Sequence, residues 1–209
     1  SARDVRYVPI ISYARLVGYD RDFIIQPDIL ERFHVANERI FTFRLRRGHR
    51  WSDGTPVTAE DFRFAWQDVA LHPKISRGGI PAELRVNGQP PRFEVIDDLT
   101  VRYSWDDPNP AFLTQLASPG PPKLLLPSAY LRQFHADYQT AEVLAVQVKE
   151  QRVDDWVALI QKMGRQNRPE NPDLPTLEAW LPRTAPPAEQ FIFERNPYFH
   201  RVDHLGQQL

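Results

Sequence analysis

The chain of 209 residues contains no cysteine, which excludes several kinds of chemistry at once. Without a thiol, the chain has no disulfide, no cysteine nucleophile and no cysteine-ligated zinc site. The absence of cysteine is compatible with an exported protein but does not require one.

Net charge and long apolar runs are also lacking. With 26 basic and 27 acidic residues the net charge is −1, so no overall basic field attracts nucleic acid or anionic lipid. No run of about 18 apolar residues occurs, so no segment reads as a transmembrane helix. Glycine-rich phosphate loops and nucleophile elbows are missing too. We therefore predict no nucleic-acid partner, no cofactor and no enzymatic activity.

Proline, by contrast, is abundant. The chain has 20 prolines, about twice the usual share of residues. This number predicts many loops and short elements rather than a helical bundle. A hydrophobic fraction of 42% is ordinary for a globular protein. The length suffices for one good-sized domain or two small ones.

The rest of the chain is organised around one stretch, residues 41–66. Its first five residues alternate between apolar and polar, the period of a strand with one buried face. Residues 52–56 supply the glycine, proline and aspartate of a tight turn. Thr58 and Asp61 have the spacing of a capping box, and an amphipathic helix is predicted to follow.

This stretch resembles a segment of the extracellular solute-binding proteins that feed oligopeptide, dipeptide and nickel ABC importers. The residues that match are Leu45, Arg46, Trp51, Asp53, Gly54, Pro56, Thr58, Ala59 and Asp61. A second match, to the family's Arg-Asn-Pro-Tyr stretch, comprises Arg195, Asn196, Pro197, Tyr198, Phe199 and Asp203. In that family the chain continues well beyond the second stretch, so we expect the sequence to be a fragment of a longer protein.

The resemblance implies an α+β fold of antiparallel hairpins with packed helices, similar to the small lobe (domain II) of a periplasmic peptide-binding protein. Residues 1–20 are then expected to be a segment of the large lobe, with a short helix over 11–16 that leads into the small lobe. Residues 21–190 would form the small lobe. Residues 191–209 would be a strand and a segment that return to the large lobe.

Alternation of apolar and polar residues predicts two hairpins independently of the resemblance. The first pairs 31–35 with 40–45, and the second pairs 93–95 with 101–105. Asn109 is predicted to cap a helix with Pro110 in its first turn. The last strands are predicted at 177–181 and 191–193.

The resemblance also implies a function, capture without chemistry. Two lobes close on a small-molecule or peptide solute, and an ABC permease at the membrane surface recognises the closed form of the full-length protein. The expected protein is bacterial, monomeric and periplasmic, or extracellular and attached to the membrane through a leader that precedes the sequence. The fragment would supply one wall of the cleft. The sequence does not distinguish a peptide from a nickel complex, an opine or a sugar.

Two loops are the predicted solute contacts, because the small lobe of similar proteins reaches the solute through the loops at these places. The residues are Ile75, Ser76, Arg77, Gly78, Gly79, Ser118, Pro119 and Gly120. The glycines would allow a close approach of backbone to solute. Ser118 offers a hydroxyl. Ordinary surface loops are an equal alternative for any single residue.

Two other functions remain open at this stage. His200, Asp203 and His204 have a spacing that would place both imidazoles on one face of a helix, as in a zinc-dependent hydrolase. No third histidine or glutamate completes the pattern, so a solvated segment is favoured. A stand-alone interaction module is the other alternative, and it predicts a large exposed apolar patch.

Some conspicuous residues have ordinary structural explanations. The arginines of the run 44–50 either contact an anion or pair with carboxylates on the polar face of a strand, and pairing is favoured. Trp66 and Trp105 lie on apolar faces and are predicted in the core, whereas Trp51 lies in a loop. Asp53 beside Gly54 is predicted to close a turn rather than to act as a base.

Overall fold

The computed structural model describes residues 14–166 and 171–208. They belong to two compact units. The sheet unit comprises Ala14–His49 and Pro56–Leu126, and the helical unit comprises Arg50–Thr55 and the described residues from Pro127 onward. The mixture of helices with antiparallel sheets confirms the predicted α+β class. None of the helices among the described residues has both the length and the apolar character to cross a bilayer. The assignment of 1–20 and 191–209 to a large lobe stays a prediction.

The sheet unit begins with a hairpin that the sequence analysis missed. Strand β1, Val17–Tyr19, pairs antiparallel with β2, Ile25–Pro27. Asp20 closes the turn: its carboxylate Oδ1 accepts the N–H groups of Asp22 and Ile24 at 3.0 and 2.9 Å. This short polar side chain therefore replaces the glycine that such a turn more often uses.

The helix expected over 11–16 is wrong for its described part. Residues 11–13 lie outside the described residues, and 14–16 are not helical. Their backbone pairs across the chain instead, because the Arg15 carbonyl accepts the N–H of Ile29 at 2.8 Å and the Leu16 carbonyl accepts that of Asp28 at 3.0 Å.

A four-stranded antiparallel sheet forms the centre of the sheet unit. Its strands are β3 Leu30–Ala36, β4 Ile40–Leu45, β5 Arg92–Asp97 and β6 Thr100–Ser104, in the order β3-β4-β6-β5. Both predicted hairpins are therefore confirmed. The register places Phe41 opposite Val35 on one side and Tyr103 on the other. The apolar residues of 41–45 consequently share one face of the sheet.

That face is covered by an aromatic core. Phe41, Phe43 and Tyr103 are at most 2% exposed and surround Phe112, whose ring centroid lies 5.0 Å from that of Phe41 and 5.9 Å from that of Tyr103. The Trp66 ring meets Tyr103 edge-on at 6.0 Å. Aromatic rings of this size bury much apolar area and prefer such inclined contacts. The core fixes the sheet against the helices on this face.

The predicted amphipathic helix is confirmed, with its cap. Helix α1, Ala59–Arg63, continues in the wider π-helical turns of Phe64–Ala70. The Thr58 hydroxyl accepts the N–H of Glu60 at 3.3 Å, and the Asp61 carboxylate accepts the N–H of Thr58 at 3.0 Å. These bonds satisfy helix-terminal N–H groups that would otherwise lack partners.

Two short elements complete the sheet unit. They are the 3₁₀ turn Ala82–Leu84 and helix α2, Phe112–Leu116, which pack against each other. The predicted Asn109 cap is wrong, because the helix begins later and Ala111 precedes it without a side-chain cap. Asn109 is buried, and its carbonyl accepts the N–H of Phe112 at 3.2 Å, which forms a turn where the first helical turn was expected.

The helical unit holds the later elements. They are α3 Ser128–Leu131, the 3₁₀ turn Arg132–Phe134, α4 Ala141–Gln151, α5 Trp156–Met163, β7 Trp180–Pro182 and β8 Phe193–Arg195. Both of the last two strands were predicted, but they begin later than expected, and they pair antiparallel with each other. Residues 177–179 lie outside the strand: Thr176 donates its N–H to the Ser52 hydroxyl at 3.0 Å, and its own hydroxyl accepts the N–H of Glu178 at 3.1 Å.

The turn of the central stretch, Arg50–Thr55, belongs to this helical unit and is tied to its final segment. The Ser52 N–H donates to the Thr176 carbonyl at 3.0 Å, and Gly54 at φ +88° faces the Tyr198 ring. The Asp53 carboxylate accepts the N–H and the hydroxyl of Thr55 at 3.0 and 2.6 Å, which confirms its role in the turn. The two stretches of family-like sequence therefore meet in space.

Candidate functional site

The first predicted solute loop, residues 75–79, is held against the end of the long helix. The Ser76 hydroxyl donates to the Val69 carbonyl at 2.9 Å, and the Ser76 N–H donates to the His72 carbonyl at 2.9 Å. The Gly79 N–H closes a turn onto the Ser76 carbonyl at 2.8 Å. Ser76 therefore anchors the loop to the end of the helix. Arg77, Gly78 and Gly79 are exposed beyond it, and Ile75 and Ser76 are half-buried.

Gly79 is the position in this loop where the structure requires glycine. Its φ is +77°, and a Cβ built there would lie 2.7 Å from Nη2 of Arg85. The left-handed backbone therefore favours glycine, and a larger residue would also displace the guanidinium. A Cβ at Gly78 would have no atom within 4 Å, so that position is not restricted in this way by the described residues.

The second predicted loop, residues 118–120, follows helix α2. The Ser118 N–H donates to the Gln115 carbonyl at 3.2 Å, and Pro119 and Gly120 are exposed. A buried arginine fixes the start of the loop: Arg15 Nη1 donates to the Ala117 carbonyl at 2.7 Å. The loop therefore projects from a rigid base within the sheet unit.

The structure connects the two loops through the elements beside them. The 3₁₀ turn after the first loop packs on α2, which precedes the second loop. The indole N–H of Trp105 donates to the Leu84 carbonyl at 3.0 Å and fixes that turn. Both loops thus rest on one core, which is the arrangement that binding loops on a rigid scaffold use.

The chemistry that these loops offer is recognition rather than catalysis. Their polar groups are two serine hydroxyls, the guanidinium of Arg77 and backbone N–H groups. None of the predicted loop residues is a carboxylate or an imidazole, the usual general acids and bases. The arrangement can donate hydrogen bonds to a ligand and provides no side-chain general base.

The alternative metal site is not assembled. His200, Asp203 and His204, all described residues, do not bring their ligand atoms together. The segment is not helical, so the premise that the two histidines share a helix face fails. The Asp203 carboxylate instead accepts the N–H groups of Leu205 and Gln207 at 2.8 and 2.9 Å and closes a turn.

Two residues near the loops were missed by the sequence analysis. Arg15 supports the second loop from within the core, and Arg85 lies over Gly79 of the first. In the sequence Arg15 stands between apolar residues, and Arg85 stands in a segment without periodicity. No sequence pattern signals either contact. The Arg15 contact joins residues that are distant in the sequence, and the Arg85 contact depends on the turn conformation at Gly79.

Comparison with protein families matches residues 25–207 to the bacterial extracellular solute-binding proteins, family 5, middle region. Among curated proteins, the periplasmic alpha-galactoside-binding protein of Rhizobium meliloti (strain 1021) is 28% identical over 82% of this chain and 22% of its own length. The periplasmic oligopeptide-binding protein OppA of Salmonella typhimurium is 46% identical over 21% of this chain and 8% of its own length.

Among solved structures, an oligopeptide-binding protein OppA superposes with a TM-score of 0.86 and 31% identity. The superposition covers 99% of this chain and 32% of that protein. The chain therefore spans about a third or less of the length of the relatives that it matches.

Proposed function

The chain belongs to the bacterial extracellular solute-binding proteins of family 5, and on that basis we propose that it forms one wall of the cleft in which such a protein captures a peptide for an ABC importer. The observation that carries the proposal is the structural agreement with an oligopeptide-binding protein over nearly the whole chain. Because the chain spans only part of its relatives, the function is that of the longer protein in which it lies.

The two loops of the sheet unit are the proposed solute contacts. Ser118 offers a hydroxyl and Arg77 a guanidinium, and the glycines at 78 and 120 leave the backbone open to a ligand. Support for this proposal comes from their common base, since both loops project from elements that pack on one aromatic core. Loops on a rigid base lose less conformational entropy when a ligand binds, so the entropic cost of binding is smaller.

The solute is then captured when the wall formed by this chain closes against the other lobe of the complete protein. A ligand shifts such an equilibrium only through contacts that exist in the closed state. The proposed partners are the solute and an ABC permease that recognises the closed form at the membrane surface. The proposed location is the periplasm, or the outer face of a membrane to which a leader attaches the protein.

Exposed apolar side chains near the end of the chain fit this proposal. Val202 and Leu205 are 57% and 70% exposed. A larger lobe packed on this segment would cover them. The same exposure would also fit the alternative of an interaction module, and the binding experiment below separates the two.

A second solute class has a specific observation in its favour. A relative that aligns over 82% of the chain is an alpha-galactoside-binding protein. A neutral oligosaccharide is therefore the second candidate. The two classes differ in charge and in the polar groups that they present, so a direct comparison of affinities decides between them.

The test is calorimetric titration of the complete protein that contains this chain. One series uses a mixture of tripeptides, and a parallel series uses raffinose, an alpha-galactoside. We expect the peptides to bind with dissociation constants in the micromolar range or below and raffinose to give no heat. Binding of raffinose alone would show that the solute is a sugar and not a peptide. Absence of binding in both series would exclude both of the proposed solute classes.

A further inference from the structure

The guanidinium of Arg85 lies over the first loop. Its Nη2 is the atom that a Cβ at Gly79 would meet at 2.7 Å, so the side chain reaches back onto the backbone of the loop. Arg85 is exposed, and its side chain makes no hydrogen bond or ion pair with another described residue. The five N–H donors of its fork are therefore available to a ligand.

Other donors of the same segment have no acceptor among the described residues. The side chains of Lys74 and Arg77 have no partner in the part of the chain that the structure describes, and the N–H groups of Gly78 and Ile80 donate to none of its residues. Between residues 71 and 89 the single acidic residue is Glu83. The loop is therefore a positively charged surface rich in donors.

In the four-stranded sheet of the same unit, by contrast, arginines form ion pairs. Each of its strands carries one that pairs with a carboxylate, and the distances are 2.8 Å for Arg32–Glu31, 3.1 Å for Arg44–Asp97, 2.7 Å for Arg92–Asp106 and 3.4 Å for Arg102–Glu94. Carboxylates of the sheet unit thus pair with an arginine on each of the four strands. The arginine that lies over Gly79 pairs with none of the carboxylates in the described ranges.

We infer that this loop recognises a carboxylate of the solute, with Arg85 as the binding residue and the N–H groups of Gly78 and Ile80 beside it. The inference rests on the proposed function and names the chemistry of its ligand. The planar fork of arginine matches a carboxylate in a bidentate manner, and the N–H groups of Gly78 and Ile80 are further donors in the same loop. Glycine at 79 is the residue that lets the fork reach the loop.

The test compares the complete protein with its Arg85→Gln and Arg92→Gln variants. The probes are tripeptides with uncharged side chains, offered once with a free carboxylate and once as C-terminal amides, and binding is measured by calorimetry. We expect the unaltered protein to favour the acids by about tenfold or more, which corresponds to roughly 1.4 kcal/mol. Arg85→Gln should lose this selectivity, whereas Arg92→Gln, which removes an exposed pair on the sheet, should keep it.

An Arg85→Lys variant separates charge from geometry. It retains the positive charge but not the fork, so it should recover part of the lost selectivity. Thermal unfolding of each variant shows whether it is folded. A general loss of stability lowers the affinity for acids and amides alike, so the ratio between them reports the carboxylate contact.

The outcomes separate the inference from the function on which it rests. Equal binding of acids and amides by the unaltered protein, or undiminished selectivity in Arg85→Gln, would overturn the inference while peptide capture stands. Binding of raffinose and of neither peptide series would overturn both the inference and the peptide. If the complete protein binds none of these probes, both proposed solute classes are wrong, and the inference fails with them.

Discussion

At the scale of single residues, the glycine of the central turn carries a specific contact. Gly54 has φ +88°, and a Cβ there would lie 3.2 Å from the Tyr198 hydroxyl. Gly48 has nearly the same φ, +89°, but no described atom lies within 4 Å of the corresponding position. The two glycines therefore share the cost of a left-handed backbone and differ in the contact.

We expect Gly54→Ala to lower the free energy of unfolding more than Gly48→Ala does. A left-handed alanine costs about 1–2 kcal/mol at either site, and crowding at Gly54 adds up to about 1 kcal/mol. Denaturant unfolding measures both. The added loss should disappear when Gly54→Ala is made in a Tyr198→Ala background, and an unchanged difference would show that Tyr198 is not its cause.

The core of the sheet unit contains a buried hydroxyl that makes no hydrogen bond with the described residues. It belongs to Tyr103, which is completely buried, and burial raises the pKa of this phenol above its ordinary value. A buried polar group without a partner costs about 1–3 kcal/mol. We therefore expect Tyr103→Phe to leave the stability unchanged or to raise it by about 1 kcal/mol.

Tyr130 is the matched control for this substitution. Its hydroxyl accepts the side-chain N–H of Asn171 at 3.0 Å. Tyr130→Phe should thus lower the free energy of unfolding by about 1 kcal/mol. Urea unfolding of both variants makes the comparison, and a loss at Tyr103 as large as that at Tyr130 would mean that the buried hydroxyl does find a partner.

At the scale of elements, the β1–β2 hairpin depends on an ionised carboxylate. The pKa of Asp20 is lowered chiefly by the N–H of Ile24, then by the side-chain amide of Gln26 and the N–H of Asp22. A lowered pKa in the folded state means that the stabilisation is present above the unfolded value of about 3.9 and is lost as the pH falls through the folded value. The hairpin should therefore loosen below about pH 4.

The prediction is tested by NMR titration of the Asp20 carboxyl carbon and by acid unfolding. We expect a midpoint below the ordinary value for aspartate. The stability difference between the unaltered protein and Asp20→Asn should shrink as the pH falls below about 4. Asp154→Asn, at an exposed residue without a hydrogen bond to the described chain, is the control. A midpoint at or above the ordinary value would contradict the account.

The same elements show what sequence patterns can and cannot predict. Alternation of apolar residues predicted both hairpins of the sheet, and the Thr58–Asp61 spacing predicted a capped helix, because these signals are local. The β1–β2 hairpin was missed because its strands have three residues each, too few for a period to emerge. The prediction for Asn109 was wrong for a different reason. Its residue type favours a helix cap, but in the structure its side chain is buried and the helix begins at Phe112.

The candidate site was less predictable than the fold. The resemblance pointed to two loops. The structure adds two contacts that neither composition nor spacing predicts: the Arg85 guanidinium lies over Gly79, and the Arg15 guanidinium donates to the Ala117 carbonyl. Such contacts depend on backbone conformation and on residues brought together from distant parts of the chain. The loop residues themselves stay predictions until a solute is bound.

At the scale of the whole molecule, the chain is proposed to supply one of the two walls of a binding cleft. The chain provides a well-packed sheet with two loops, and it aligns with about a third or less of its relatives. A cleft needs two walls, and the affinity of a closed clamp comes from contacts to both. One wall alone should therefore hold a solute only weakly.

The most direct measurement is calorimetric titration of the same tripeptide mixture into two proteins, this 209-residue chain alone and the complete protein that contains it. The account predicts binding by the complete protein and affinity at least about a hundredfold weaker, or no detectable heat, for the chain alone. Circular dichroism confirms that the isolated chain is folded. Equal affinity of the two proteins would show that these residues hold a complete site and would contradict the account.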